Sequence, residues 1–461
     1  MAPRNRIIID TDPGVDDVLA MLLAFSAKPE ELEVLLLSVT FGNVDVQNCL
    51  RNIVSIFHFI EKEREWRRGI GRPEGFETLK ACKPIVAVGA EEPLADQIMM
   101  ADFFHGIDGL GGIHSSHPHL SPAETWKCLF NSALSSTNPS EVAAAREVQD
   151  SHSLFTPSQR PAHEEMLRLL RENDPDTITI VAIGPLTNLA TAAAIDPEAF
   201  LRAKEVVIMG GAIDVPGNMT PGAEFNTYAD SVAAARVFAL TSPNPASTMP
   251  PMPPAPQGKQ AVEPHPPFLA PYPAKLSKRL KLTLFPLDIT TPHELTRGAF
   301  TAYTAPLLSP SSTSPLAEWS TAFLTSTFSK IEFLTPDLSG PAVGLQLHDP
   351  MCIWYCLTPE DPKWVVQELD VRVETSGQWT RGCCVVDRRG RRMMVGEDGE
   401  GEKGGGGGEE VGKDRWVEGD GDAVGDAGGW LSRKRGNRIR VCVGSPGVGV
   451  FGGLLLERVF G

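Results

Sequence analysis

The chain has 461 residues, enough for one large domain or two to three small ones, and a formal net charge of −16. An acidic chain without a long Lys/Arg run is poorly suited to nucleic acid or an anionic membrane surface, so we exclude both partners. No apolar run could span a bilayer and no signal peptide is visible, which predicts a cytoplasmic protein. Its eight scattered cysteines lack paired zinc spacing, and we interpret them as reduced thiols.

The first predicted element is a buried strand over Arg6–Asp10, because three isoleucines stand at positions 7–9. A Pro-Gly turn follows, and the apolar spacing beyond it predicts a helix over Val15–Ala27. Four carboxylates therefore gather where open α/β sheets bind ligands, namely Asp10, Asp12, Asp16 and Asp17. They repel one another unless a cation lies between them, and hard oxygen ligands suit Ca²⁺ or Mg²⁺. The alternative, that Asp16 and Asp17 only complement the helix N-terminus, leaves the other two acids unexplained.

Strands and helices alternate along the rest of the chain. The predicted strands are Val34–Thr40, Ile85–Val88, Thr177–Ile183, Glu205–Met209, Leu282–Asp288 and Arg440–Val443. The predicted helices are Val46–Ile60, Leu186–Ala194 and Pro350–Leu357, the last with Asp349 as its N-cap and Pro350 at its first position. This alternation predicts a mostly parallel sheet that is covered on both faces.

Three stretches interrupt the pattern, at residues 115–161, 241–273 and 396–437. The first is polar and rich in Ser and Pro, the second is dominated by proline, and the third contains a run of five consecutive glycines amid acids. We treat all three as surface insertions and expect the last two to be disordered, because they cannot bury enough apolar surface. The third separates Val385–Arg392 from Arg440–Val443, which we expect to pair as neighbouring strands.

Six motifs, in order, carry a family resemblance. They begin with the Asp10–Asp17 signature and the Ser38–Asn43 strand end. The others are His105–Gly112, Ile180–Asn188, the run from Met209 through Gly217-Asn218 to Glu224–Asn226, and Leu347–Pro350. Together they resemble the inosine–uridine-preferring nucleoside hydrolases. The resemblance implies one α/β domain over 1–461 with a Rossmann-like sheet flanked by helices, and is compatible with a homodimer or homotetramer.

The resemblance also implies an activity and a metal. The expected reaction is hydrolysis of the bond between ribose and base in a nucleoside, with one Ca²⁺ per site. Its expected ligands are the carboxylates of Asp12, Asp17 and Asp349 and the main-chain carbonyl of Ile183, with Asp10 as a supporting acid behind them.

Catalytic and substrate-binding roles follow from the same motifs. Asp12 is expected to act as the general base for the attacking water, and His348 as the acid that protonates the departing base. The residues expected to contact the nucleoside are Asp16, Asn43, His105, Asn218, Glu224 and Asn226. For the Asn218–Asn226 run, the competing interpretation is turn chemistry around its prolines and glycines. His105 is expected on a mobile, glycine-rich loop.

Two further functions remain as alternatives. One is a nucleoside-binding or regulatory protein of the same fold that has lost turnover. The other is phosphoryl transfer through an Asp nucleophile, which the absence of a downstream Lys and Asp pair disfavours. For the main hypothesis, Phe328–Gln346 lacks the Tyr- and Arg-bearing pattern of non-specific family members, which favours uridine over inosine.

Overall fold

The computed structural model describes residues 5–122, 154–250, 269–310, 312–390 and 426–461. Within these ranges the strands of the main sheet are β1 (Asn5–Thr11), β2 (Leu32–Val39), β3 (Ile85–Val88), β4 (Thr156–Pro157), β5 (Ile178–Ala182), β6 (Glu205–Met209), β7 (Leu282–Phe285), β12 (Val365–Leu369) and β15 (Ile439–Gly444). The strands of small two-stranded ladders are β8 (Glu294–Thr296), β9 (Leu308–Ser309), β10 (Ser312–Thr313), β11 (Gly344–Gln346), β13 (Arg372–Val373) and β14 (Cys384–Val385).

The helices of the described residues lie mostly between these strands. They are α1 (Val15–Phe25), α2 (Val46–Gly69), α3 (Thr78–Ala81), α4 (Asp102–His105), α5 (Ile113–Ser116), α6 (Ala162–Glu172), α7 (Thr187–Ile195), α8 (Pro197–Phe200), α9 (Phe225–Ala229), α10 (Ser231–Ala239), α11 (Leu287–Thr290), α12 (Arg297–Thr304), α13 (Pro315–Leu334), α14 (His348–Leu357) and α15 (Phe451–Phe460). Short 3-10 turns cover Pro118–Leu120, Pro245–Ser247, Ala305–Leu307 and Gly340–Ala342.

The main sheet has nine strands in the order β12-β15-β7-β6-β5-β1-β2-β3-β4. Every neighbouring pair is parallel except β12, which runs antiparallel to β15. In the register of the central strands, Asp10 of β1 lies opposite Ser38 of β2 and Ala182 of β5. The carboxyl ends of these three strands are therefore level, and the loops that follow them meet at one edge.

Apolar residues cover both faces of the sheet. Ile7 and Ile9 belong to one buried cluster, whereas Ile8 between them belongs to a second. Residues of α1, α2, α13 and α14 complete the first cluster, and residues of α6, α7 and α10 complete the second. Because successive strand residues point to opposite faces, this division confirms the predicted sheet with helices on both sides.

The predicted strands and helices of the sheet are present, most of them with shifts of one to three residues at their ends. Two predicted boundaries are wrong: α2 continues past the predicted end at Ile60 to Gly69, and the last motif helix, α14, begins at His348 rather than Pro350. Leu347 takes the position before the helix, so Asp349 lies in the first turn and is not the N-cap. A local pattern locates helix ends only to within one or two residues, since the last turn depends on tertiary contacts.

The predicted pairing of Val385–Arg392 with Arg440–Val443 is also wrong. Val385 belongs to β14, which pairs with β13, whereas the antiparallel partner of β15 is β12. This edge strand reads Val-Val-Gln-Glu-Leu and is mostly exposed or half-buried. An edge strand needs no continuous apolar run, so its sequence did not identify it as a strand.

Parts of the three interrupting stretches lie within the described residues and pack against the domain. Thr241, Tyr272 and Asn437 are buried. The Asn437 side chain donates to the Val371 carbonyl at 2.8 Å and accepts from Thr248 at 2.7 Å. These end residues therefore belong to the packed domain. Residues 123–153, 251–268 and 391–425 lie outside the described residues, so the predictions for them stay predictions.

Among the described helices, none combines the length and hydropathy that a bilayer crossing requires.

Candidate active site

The four acids of the first motif are buried together at the carboxyl end of β1. Asp10 lies in the strand, Asp12 in the Pro-Gly turn that follows it, and Asp16 and Asp17 in the first turn of α1. Their relative exposures are 0, 1, 9 and 0%, respectively. Buried carboxylates this close are unfavourable unless they are protonated or neutralised by a cation.

Asp17 is held by donors from three segments. One carboxylate oxygen accepts from the Thr11 hydroxyl at 2.6 Å, and the other accepts from the Gly14 amide at 3.0 Å and from the Asn43 side chain at 2.9 Å. The same Asn43 side chain donates to the Asp12 carbonyl at 3.1 Å. Asn43 follows β2, so it fixes the turn after β1 to the end of the neighbouring strand.

Asp16, Asp17 and Asp349 form a compact carboxylate cluster, with one oxygen of each within 4.8 Å of the others. Asp349 comes from the first turn of α14, more than 300 residues away in the sequence, and hydrogen-bonds to the other two. Burial, followed by the charges of Asp16 and Asp17, holds the pKa of Asp349 well above its usual range. Burial also raises the pKa of Asp16 to about 7. Asp16, expected to contact substrate, thus lies among the acids expected to bind metal.

Asp12 lies beside this cluster in a glycine cradle. A Cβ on Gly42 would fall 2.0 Å from its Oδ2, and one on Gly184 would fall 2.4 Å from its Oδ1. Oδ2 accepts from the Asn43 amide at 2.7 Å, whereas the buried Oδ1 has no hydrogen-bond partner within the described part of the chain. Burial and the charge of Asp17 raise the pKa of Asp12 well above normal. An unpaired buried carboxylate oxygen beside three further carboxylates fits a hard divalent cation.

The end of β5 brings the Ile183 carbonyl to the same region. Ile183 donates its amide to the Asp10 carbonyl at 2.8 Å, which places it directly beside the first strand. Its own carbonyl accepts from the Asn226 side chain at 3.1 Å, and Asn226 also donates to the Met209 carbonyl at 3.2 Å. Asn226 therefore spans the ends of β5 and β6.

Two residues that the sequence did not identify as part of the site hydrogen-bond to Asp10. The Ser38 hydroxyl and the Asn188 side chain both donate to its Oδ2, the latter at 2.9 Å. Burial nevertheless raises the pKa of Asp10 to about 7. Both residues stand inside motifs that carried the resemblance, but a strand serine and a helix asparagine give no signal of their own.

Two histidines lie near the acids: His105 is buried, and His348 is half-buried. His348 Nδ1 lies 2.7 Å from the Thr290 hydroxyl and Nε2 lies 3.0 Å from Gln346 Oε1, two further contacts that the sequence did not reveal. His105 Nδ1 accepts from the Val15 amide at 3.3 Å. Burial lowers the pKa of each histidine to about 4, with a further contribution at His105 from His348, so both are neutral at pH 7.

The hydrogen bonds described for the run from Asn218 to Asn226 are turn, helix-cap and strand-end contacts, so its role in ribose binding stays a prediction. Glu224 caps α9 and accepts from the amides of Asn226, Gly211 and Thr227 at 2.7, 2.8 and 3.0 Å. Asn218 is exposed and accepts from the Phe225 amide at 2.9 Å, so it supports the turn. Within the described residues, no hydrogen bond joins Asn218 to the carboxylate cluster, whereas Asn226 contacts the Ile183 carbonyl.

Comparisons with known proteins identify a family for the chain. The family described as inosine-uridine preferring nucleoside hydrolase matches residues 7–405. Uridine nucleosidase 1 of Arabidopsis thaliana is 34% identical over 52% of this chain and 54% of that protein. A non-specific ribonucleoside hydrolase of Klebsiella pneumoniae (strain 342) is 28% identical over 84% of this chain and 90% of that protein.

Solved structures support the fold. A plant nucleoside hydrolase superposes with a TM-score of 0.61 at 21% identity and covers 99% of both chains. A purine-preferring ribonucleoside hydrolase from Gardnerella vaginalis gives a TM-score of 0.59 at 18% identity, over 99% of this chain and 98% of that one. Because the family match covers most of the chain and the acid-lined strand ends carry its motifs, the chain belongs to the inosine-uridine preferring nucleoside hydrolases, which are hydrolases of N-glycosyl compounds.

Proposed function

We propose that this protein hydrolyses the N-glycosidic bond of ribonucleosides in a Ca²⁺-dependent reaction and releases ribose and free base. The observation that supports this most strongly is the buried cluster of Asp16, Asp17 and Asp349 beside the unpaired oxygen of Asp12. Such a set of oxygens at the carboxyl ends of parallel strands is typical of a divalent-cation site at the ligand-binding edge of a sheet.

Asp12, Asp17, Asp349 and the Ile183 carbonyl would hold the cation. Ca²⁺ accepts six to eight oxygens in flexible geometry, which suits ligands from three separate segments. When bound, the cation supplies charge neutralisation and polarises the oxygens around it. Asp16 would turn from Asp349, its partner here, toward a ribose hydroxyl, because it is the most exposed of the four acids of the first motif.

Asp12 is the proposed general base. Its Oδ2 accepts from the Asn43 amide and lies in the space beside Gly42, whereas Oδ1 has no donor in the described residues. Oδ1 can therefore accept the proton of a water that attacks the anomeric carbon. The surrounding carboxylates favour the positive character that develops on the sugar. Asn43, Glu224, Asn226 and Asn218 would contribute to sugar binding.

His348 is proposed to donate to the departing base, with His105 beside it. At pH 7 the imidazole of His348 carries one proton, because burial lowers its pKa to about 4. The N–H of this neutral imidazole, which here faces Thr290 or Gln346, would instead donate a hydrogen bond to an acceptor atom of the base when the nucleoside is bound. Full proton transfer to the leaving base would take place from the imidazolium, which His348 forms by taking up a second proton from water. The base is proposed to be a pyrimidine such as uracil, since Phe328–Gln346 contains neither Tyr nor Arg and one relative is named a uridine nucleosidase.

The test is base release from uridine, inosine, cytidine and adenosine after removal of metal with a chelator and after addition of Ca²⁺ or Mg²⁺. We expect uridine cleavage that depends on Ca²⁺, and a fall in kcat of about 10²-fold or more in Asp12→Asn. Inosine turnover well above that of uridine would refute the pyrimidine preference. Nucleoside binding without base release would instead identify a non-catalytic binding protein, and phosphate release from a nucleotide would identify a phosphatase.

A further inference from the structure

Asn52 of α2 joins two loops of the candidate site, although it carries no role in the activity proposed above. Its side chain is fully buried. The amide nitrogen donates to the Pro13 carbonyl at 2.8 Å and to the Asp108 carbonyl at 2.8 Å. The amide oxygen lies 2.9 Å from His114 Nε2. Because the nitrogen faces two carbonyls, the oxygen must face His114, which fixes the orientation of the amide.

The contact with Pro13 reaches the carboxylate cluster through one peptide unit. The carbonyl of the Pro13–Gly14 peptide accepts from Asn52, while its N–H donates to the Asp17 carboxylate at 3.0 Å. A planar peptide held on both sides has a fixed orientation. A change in Asp17, such as the arrival of a cation, therefore acts on the same rigid unit that Asn52 holds.

The contact with Asp108 reaches His105. The Asp108 carboxylate accepts from the amides of Leu110, Gly112 and His114 at 2.9, 2.8 and 2.9 Å, so this loop is braced internally. Gly109 has a φ of +81°, and a Cβ there would lie 2.8 Å from the Asn52 nitrogen and 3.0 Å from the Pro13 carbonyl. The loop therefore rests directly on Asn52 and on the acid-bearing turn, with His105 at its start.

We propose that Asn52 is a positioning residue that couples cation binding at the acid-bearing turn to the placement of the His105–Gly112 loop. His114 sets this arrangement: its Nδ1 lies 2.6 Å from the Ser121 hydroxyl, and its Nε2 faces the Asn52 oxygen. The inference rests on the proposed function for its cation. It goes beyond that function because it assigns a residue that touches neither metal nor substrate.

The experiment is amide hydrogen exchange of residues 106–112 with and without saturating Ca²⁺, whose binding is checked by calorimetry. In the unsubstituted protein we expect Ca²⁺ to slow this exchange by tenfold or more. In Asn52→Leu the slowing should vanish at saturation, and kcat should fall by about tenfold. Ser55→Ala is the matched control, because Ser55 is a buried polar residue of the same helix whose hydroxyl donates to the Arg51 carbonyl at 2.7 Å. Equal slowing in Asn52→Leu and Ser55→Ala would overturn the proposal.

Should Asn52→Leu fail to fold, substitutions of His114 test the same point. His114→Gln keeps an N–H directed at Asn52 and should retain the Ca²⁺ response, whereas His114→Leu should lose it. Equal responses in these two variants would overturn the proposal. Failure of the proposed function is distinguishable: a protein that binds no Ca²⁺ and releases no base refutes that function. Even then, the amides of residues 106–112 should exchange faster in metal-free Asn52→Leu than in the metal-free unsubstituted protein. An unchanged exchange rate would show that Asn52 does not hold this loop.

Discussion

At the scale of single residues, the protonation of the site is set by the burial of its carboxylates and by the repulsion between their charges. Asp12, Asp16, Asp17 and Asp349 are removed from water, and each is therefore a stronger proton acceptor than an exposed acid. A cation and a proton then compete for the same oxygens. Cation affinity should therefore rise with pH. Without the cation, the folded protein should lose stability as these acids lose their protons, whereas a protein whose buried acids have lowered pKa values gains stability as pH rises.

Stability without metal should fall between about pH 6.5 and 8. Burial raises the pKa of Asp10 and Asp16 from 3.8 to about 7, so the folded state binds protons more tightly than the unfolded chain and loses that stability as pH rises through 7. His105 and His348, whose pKa burial lowers from 6.5 to about 4, act oppositely, but mainly below pH 6.5. Calorimetric melting should show the fall with a chelator present and a smaller one with Ca²⁺. A Tm that rises over this interval would contradict it.

Asp17→Ala should abolish tight Ca²⁺ binding, because Asp17 supplies one proposed ligand and also orients the Pro-Gly turn through the Gly14 amide. Calorimetric titration provides the measurement. Asp45→Ala is a suitable control: it removes a nearby carboxylate that caps α2 but is not in the cluster, so it should cost about 1 kcal/mol of stability and leave Ca²⁺ affinity nearly unchanged. Stoichiometric tight binding by Asp17→Ala would show that the assignment is wrong.

At the scale of elements, the turns after the parallel strands determine the site. Gly184, which follows β5, is one example, because Asp12 occupies the space where its side chain would be. Gly184→Ala should displace Asp12 and lower kcat/KM by roughly 10²-fold, the scale expected for a misplacement of about 1 Å. Steady-state kinetics with uridine would measure this loss.

Gly453→Ala is the matched substitution for that experiment. This glycine is exposed in α15, and a Cβ there would meet no atom within 4 Å. It should raise stability by about 0.5–1 kcal/mol with unchanged kinetics. If Gly184→Ala retains full activity, the cradle does not position Asp12.

Much of this architecture could be predicted from the sequence, because buried parallel strands are short apolar runs that end in polar motifs. Ile7–Asp10 and Glu205–Met209 are examples. Asn52 could not be found, since an asparagine within an amphipathic helix is indistinguishable from a surface residue until the helix is packed. The same holds for Gln346 and Thr290, whose contacts with His348 join separate segments. Glu224 was given a ligand role, but its helix-capping bonds depend on the position of Gly211.

At the scale of the whole molecule, residues 251–268 and 391–425 contain no proposed site residue. Replacing either segment with a short Gly/Ser linker should preserve Ca²⁺ binding and nucleoside cleavage, because loop closure costs only about 0.6 kcal/mol per doubling of length. A wider deletion that continues through residue 437 should lower the Tm, since it removes the Asn437 contacts with Asp370 and Val371. Loss of activity in a folded protein with only 251–268 or 391–425 replaced would mean that the segment contributes to function.

The position of β15 has a consequence for biosynthesis. This strand enters the sheet between β7 and β12, yet about 150 residues separate it from β7 along the chain. At 5–20 residues per second, a ribosome needs on the order of ten seconds or more to deliver it after β7. During that interval one side of β7 has no partner and offers a template to any extended polypeptide nearby. Nascent chains that stall in this window therefore carry an unpaired strand edge, and we expect chaperones to engage this protein there.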